Sequence, residues 1–424
     1  MLYIGLLLVT SSSCSQDSPE EPWQPPVKPP PKVMITANDV LTLDNTTGKL
    51  RKDGKDYYGA GVNYYDAFYR VIIDGTHNDT SYRHGIQVLQ EKGIPFIRFS
   101  VLGFYPNDYN YYKNNEMGYF AKLDEFVDFA KKHNVGLIPS FFWNHSTVCD
   151  FVGETVNAWA KLDEPGNKTN TFMATYVEKM VKRYGKNSAI WAWEFGNEAN
   201  IKTDPAGRRY DQQSWVYPIT SSNAQGGLPT TRTFEDTLST AELSAAYNKF
   251  QTLIREQEDK LELPHRAVFS GNTNTNYAAY SRFHHGKWDA NTKEQYEEMM
   301  ILQNGNLGTV TIHPYLGNEG STSFNTSMKN IIAGAKAICD REKRALFLGE
   351  FGVDANYGTN TQVKWREYVD AIKDNDIQLS ALWVFDTLGG ETGYMKEWVV
   401  TTTFRSYQLD GLVEINNYFK SKYK

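Results

Sequence analysis

Eight short apolar or aromatic runs recur along this chain, at 57–65, 95–102, 135–143, 189–198, 266–273, 307–315, 344–352 and 377–387. Several, such as VGLIPSFFW and RALFLGEFG, are nearly continuous in apolar residues. That is the pattern of strands buried on both faces, as in a parallel sheet. Between them the apolar period changes to that of a helix. Phe120, Leu123, Val127 and Ala130 form one stripe in 119–133, and Met173, Val177, Met180, Val181 and Tyr184 another in 171–186. Met328, Ile331, Ile332, Ala335 and Ile338 do the same in 326–343, and a last helix is expected over 412–424. Alternating β and α units give a doubly wound sheet or a barrel. Eight units favour the (β/α)8 TIM barrel. The first run leads into GAGVNYYDAF, which lacks the GxGxxG of a dinucleotide fold. Insertions at 199–238 and 274–290 follow the fourth and fifth runs and predict long rim loops.

A length of 424 residues alone suggests two or three average domains or one large barrel. The eight units assign 33–424 to one barrel and leave the N-terminus outside it. Residues 2–9 (LYIGLLLV) are too few to span a bilayer and look like the apolar core of an export signal. No Lys or Arg precedes them, so a start upstream of Met1 is expected. Thr10, Ser11, Ser12 and Ser13 then lead to Cys14, which resembles the lipidated cysteine of a bacterial lipoprotein signal. Residues 15–32 hold seven prolines in 18 positions, a semi-rigid spacer. The expectation is an exported protein, held at the outer membrane or cell surface by a lipid on Cys14, or else periplasmic or secreted. Cys149 and Cys339 make no disulfide framework, and Cys339 reads as a core residue. The formal net charge of -6 argues against a nucleic-acid partner.

The ends of the runs carry the chemistry, because a barrel of this kind places its site on the C-terminal rim. The fourth ends in WAWEFGNEAN, giving Asn197 and Glu198, and the seventh in LFLGEFG, giving Glu350. The sixth ends in TIHPY (His313, Tyr315) and the second carries Arg98 in IRFS. The third ends in FFWNH (Trp143, Asn144, His145), and the eighth carries Trp383 in ALWVF. Aromatic residues reach 14 %, and part of that excess falls near strand ends and on a rim loop, at Tyr64, Tyr65 and Trp288. Trp191 and Trp193 lie mid-strand and read as packing against the barrel helices. Period-2 alternation sets Asn197 and Glu198 on opposite faces, so both reach one site only if the strand bends at its end. Glu194 shares parity with Glu198 and reads as a structural partner of Arg98.

These motifs together resemble clan A glycoside hydrolases, and within them family five, which holds cellulases, β-mannanases and related β-glycosidases. The carriers are the Asn-Glu of WEFGNE, the Glu of LGEFG, the His and Tyr of TIHPY, the Arg of IRFS and the Trp of ALWVF, over roughly 57–387. The resemblance implies double displacement with retention, Glu350 as nucleophile and Glu198 as general acid/base. Arg98 and Tyr315 would then keep Glu350 ionised, while Glu198 would hold its proton. Asn197 resembles the family's donor to the sugar 2-hydroxyl, and either His145 or Asn144 its third-strand polar residue. His313, Tyr315, Trp383, Trp143, Tyr64, Tyr65 and Trp288 complete the expected substrate contacts. The implied partner is a β-linked oligo- or polysaccharide, with no cofactor and no metal. HExxH is absent, and the adjacent pair His284-His285 does not converge on one ion. A monomer is expected. Endo action on a β-1,4-glucan or mannan leads, ahead of an exo-acting β-mannosidase or β-glucosidase of the same family. A non-catalytic glycan-binding lipoprotein is the reading from another class.

Overall fold

The computed structural model describes residues 34–205, 232–315, 324 and 327–424. The expected export signal and spacer, and 206–231 of the fourth-run insertion, lie outside the described residues. Ile35–Lys424 form one unit.

That unit starts with a small antiparallel sheet the hydrophobic pattern did not announce: β1 (Thr42–Asp44), β2 (Lys49–Lys52) and β3 (Lys55–Asp56). Its strands are short and charged. The β2–β3 turn is Asp53-Gly54, both with positive φ (55° and 75°), which suits a tight hairpin.

The eight barrel strands follow as β4 (Gly59–Asn63), β5 (Phe96–Ser100), β6 (Gly136–Phe142), β7 (Trp193–Gly196), β8 (Val268–Phe269), β9 (Thr309–Ile312), β10 (Ala345–Phe351) and β11 (Leu379–Leu382). One lies within each of the eight runs. They pair in parallel in the order β8-β7-β6-β5-β4-β11-β10-β9. Across the remaining seam the Thr309 hydroxyl donates to the carbonyl of Val268 at 2.6 Å. The result is the (β/α)8 TIM barrel. The expected helical stripes are buried in helices Glu116–Lys132, Lys168–Tyr184 and Met328–Glu342, and the last helix spans Tyr407–Lys422. Cys149 and Cys339 are free and buried.

The barrel interior below the rim is apolar: Phe96, Ile138, Phe269, Phe347 and Leu379 pack together, capped by Leu41 and Leu50 from the small sheet. Backbone bonds fasten that cap. The amide of Leu41 donates to the Trp191 carbonyl (2.9 Å), and that of Ala267 to the Leu41 carbonyl (2.8 Å). The Gln378 side chain bonds both backbone groups of Leu50. Trp191 belongs to this lower plug, edge-on to Tyr57, which corrects the expectation that it packs on helices. Gly136 makes its position possible, since a Cβ there would fall 2.2 Å from the indole. Trp193 does face the helices, its indole donating to Glu258 of helix Thr240–Lys260 at 3.0 Å.

Candidate active site

Above the plug the barrel interior becomes charged. Burying a charge is costly unless each of its polar atoms is matched, and Arg98 on β5 is fully buried. Its Nε donates to both oxygens of Glu194 (2.7 and 3.0 Å). Nη1 donates to Asn63 (2.9 Å) and Glu350 (3.0 Å), and Nη2 to Asn197 (2.8 Å) and the Gly196 carbonyl (3.4 Å). Its guanidinium also lies 4.7 Å from the Trp143 ring centre. One cation thus joins residues of β4, β7 and β10. Glu194 is its buried partner, as its parity implied.

Local backbone irregularities aim the two outer glutamates. The β10–β11 register shifts between Leu348 and Phe351, around Glu350, and such a bulge re-aims a side chain. Gly349 beside it has no Cβ, which would otherwise sit 2.7 Å from Nε2 of His313. β7 ends at Gly196, where the Asn197 amide donates to Trp143 O (2.9 Å). Glu198 then turns into the left-handed region (φ 48°, ψ 33°), its amide bonded to Gly271 O at 2.8 Å. This turn breaks the two-residue alternation, so Asn197 and Glu198 both reach the site.

His313, just past β9, sits between the carboxylates. Its Nδ1 is 2.8 Å from Glu198 Oε1 and 3.5 Å from Glu350 Oε2. The Tyr315 hydroxyl donates to Glu350 Oε2 at 3.2 Å. Glu198, His313 and Glu350 each offer an atom, all within 4.8 Å of one another. Three such atoms could also hold a cation, although Arg98 already supplies a positive charge at Glu350.

The protonation balance differs from the expectation. Burial pushes the Glu350 carboxyl up, helped by the charge of Glu198 and opposed by His313 and Arg98. Burial also acts to raise Glu198, but the hydrogen bond and charge of His313 outweigh it and hold that carboxyl below its usual range. The expectation that Glu198 holds its proton does not include the His313 contact at 2.8 Å. Two carboxyls this close titrate as a pair rather than singly.

Aromatic rings border the charged cluster, Trp143 at Arg98 and Tyr315 at Glu350. Trp143 and Trp383 pack with Val384, and Tyr65, Phe104, Tyr315, Met395 and Trp398 close around them. Tyr65 lies 5.3 Å from Trp383 and 5.7 Å from Trp143, stacked on both. Trp143, Trp383, Tyr65, His313, Tyr315, Arg98, Asn197, Glu198 and Glu350 therefore converge on one region. Asn144 sits at its edge, its amide donating to Gly103 O at 3.1 Å.

Three expected contacts fall elsewhere. Tyr64 is fully buried, its hydroxyl bonded to Asp386 and its ring against Phe385 and Arg70. Alternation along the chain turns it away from the cleft that Tyr65 faces. His145 opens the short helix Ser146–Val152 rather than ending a strand, and its buried ring lies against Trp159 and Phe195. Burial lowers that imidazole to about 3. Trp288 is on the rim loop after β8, against Arg282 (4.7 Å) and outside the Trp143 cluster. Conversely, the sequence reading missed Asn63, whose amide donates to Gly349 O at 2.8 Å and whose oxygen accepts from Arg98. It is a polar residue inside an apolar run, as Arg98 is, so the criterion that found Arg98 would have found it. Met395 and Trp398 come from the loop after β11, where no strand end marks them.

A family model described as cellulase (glycosyl hydrolase family 5) matches residues 52–387. The chain is 29 % identical over 198 residues to a probable mannan endo-1,4-beta-mannosidase A of Aspergillus oryzae, covering 41 % of this chain and 46 % of that protein. It is 29 % identical over 187 residues to a mannan endo-1,4-beta-mannosidase A of Hypocrea jecorina (38 % and 39 %). The chain thus spans less than half the length of these curated relatives. The endo-1,4-beta-mannanase of Rhizomucor miehei shares its fold with a TM-score of 0.60 at 13 % identity, over 90 % of this chain and 99 % of that one. With the family match running from the hairpin to the far side of β11, the chain belongs to the cellulase family, glycosyl hydrolase family 5.

Proposed function

We propose that this protein is a retaining β-glycoside hydrolase that cleaves β-1,4-linked mannan internally. The observation that carries the reading is the pair Glu198 and Glu350, which offer carboxylate oxygens within 4.8 Å of each other. Retaining enzymes hold their carboxyls about 5–5.5 Å apart, whereas inverting ones leave about 6.5–9.5 Å for a water. Glu350, oriented by Arg98 and Tyr315, attacks the anomeric carbon and forms a glycosyl ester. Glu198 gives its proton to the leaving oxygen, then takes one from the water that hydrolyses the ester. Of the pair's two one-proton forms, only the one with the proton on Glu198 begins this cycle, and it is the less favoured of the two in the free site. His313, hydrogen-bonded to Glu198, sets how readily that carboxyl takes up its proton. Trp143, Trp383 and Tyr65 give sugar rings an aromatic wall, and Asn197 supplies an amide beside it. Mannan is favoured over glucan by the names of the relatives.

The products from mannohexaose and cellohexaose test this. Mixed internal fragments from mannohexaose support it, and mannose alone refutes endo action. Glu350→Ala is expected to abolish hydrolysis and keep oligosaccharide binding. A wild type as inactive as that variant across a wide glycan panel would favour a binding protein. The reading also includes a monomer exported through residues 1–14 and lipidated at Cys14, with 15–32 as spacer. Cys14→Ala should then leave the membrane fraction. Among the described residues no helix is long and apolar enough to cross a membrane.

A further inference from the structure

Beside the carboxylates, but separated from them by one ring, lies a second cavity of about 280 Å³. Tyr315 is the partition. Its hydroxyl reaches Glu350, and its ring also lines the cavity with Trp398, which meets it edge-on at 5.2 Å. Tyr368 and Lys364 of helix Thr361–Asp374 line it opposite, with Asp354, four residues after Glu350, and the apolar Met328 and Val353. At Gly352 the backbone is pressed against β11, since a Cβ there would fall 2.3 Å from Trp383 O.

We infer that this pocket is a subsite for a single sugar ring carried as a side branch on the β-linked main chain. The inference rests on the hydrolase reading above. The lining suits a pyranose, with aromatic surface for its C–H face and charged groups for its hydroxyls. Asp354 Oδ1 accepts from the Asn356 amide at 2.7 Å, and its carboxylate also acts on the charge of Arg405. Lys364 spans 3.0 and 3.1 Å to the two oxygens of Glu367 and can turn a further N–H to the pocket. Small-molecule pockets usually measure about 300–1,000 Å³, and this one, just below that range, is on the scale of one sugar ring. The Tyr315 ring keeps an occupant off Glu198 and Glu350. A sugar there is therefore held near the bond being cut without being the one cut.

The test compares kcat/KM on linear β-1,4-mannan and on galactomannan, which bears single galactosyl branches, for wild type, Asp354→Asn and Lys364→Met. Losing one hydrogen bond to a charged group should lower kcat/KM on galactomannan about tenfold, leaving linear mannan within about twofold. Equal losses on both substrates would assign the pocket to the main chain and overturn the inference, as would no loss on either. Crystals soaked in methyl α-galactoside give a readout independent of hydrolysis. A ring bound between Trp398 and Asp354 in an enzyme inactive on mannan would sink the mannanase reading and keep the pocket. An active enzyme with an empty pocket and unaffected variants would do the reverse.

Discussion

The two ends of the barrel are built from opposite materials. The lower end is a plug of Leu41, Leu50, Phe96, Ile138, Trp191 and Phe269, closed by a hairpin whose backbone groups are matched. The upper end buries Arg98 and Glu194 completely and Glu350 almost so. Hydrophobic side chains of similar volume would often be neutral or stabilising in place of a buried ion network. The lower end is therefore what stability asks for, and the upper end is what chemistry asks for. β5 and β10 serve both, with Phe96 two residues before Arg98 and Phe347 three before Glu350.

That contrast can be broken residue by residue. If the proposed function holds, Glu198→Gln lowers kcat on mannan by about 10²–10⁴-fold while leaving urea stability nearly unchanged. A large stability loss would make Glu198 structural. Arg98→Met should destabilise the fold by about 3–5 kcal/mol, because Glu194 and Glu350 are left buried without their cation. It should also remove activity, and chemical denaturation with circular dichroism reads the first effect. At the other end, Leu50→Ala should cost about 2–5 kcal/mol and leave kcat and KM intact below the melting transition. Lost activity in a folded Leu50→Ala protein would show that the ends are not independent.

Two smaller effects concern protons. Asp108 anchors the loop after β5 by accepting from the Gly103 and Phe104 amides, both at 2.7 Å. Burial raises its carboxyl from 3.8 to about 6. The folded state then binds this proton more tightly than the unfolded chain does. The contribution of Asp108 to stability is thus greatest at low pH and declines as pH rises from about 4 to about 6. The difference in unfolding free energy between wild type and Asp108→Asn should change by at most about 1.4 kcal/mol per pH unit in that window and flatten above it. In catalysis, His313 holds Glu198 below its usual range. His313→Ala should raise that carboxyl and move the basic limb of the kcat/KM profile to higher pH. An unmoved limb would sever Glu198 from that titration.

Much of this was legible in the chain because it follows from periodicity. Buried parallel strands are continuously apolar, and all eight runs contain one. The polar residues ending those runs gave Arg98, Asn197, Glu198, His313 and Glu350. What stayed hidden depended on conformation within two or three residues. The hairpin of β1 to β3 is too short and charged to show a pattern. The left-handed turn at Glu198 and the register shift beside Glu350 have no signature beyond neighbouring glycines. Tyr64 and Tyr65 differ only in parity, and His145 misled because its strand had ended before it. Reading strand ends one at a time also hid the contact between His313 and Glu198, and with it the proton balance.

Arg98 has a consequence for how such a site can evolve or be redesigned. Each of its N–H groups already has an acceptor, supplied by Asn63, Glu194, Gly196, Asn197 and Glu350. A substitution at any of those side chains frees a donor that the others must absorb, so their effects should be epistatic rather than additive. Altered activity is then reached more easily from the rim loops, which can change without the agreement of this guanidinium.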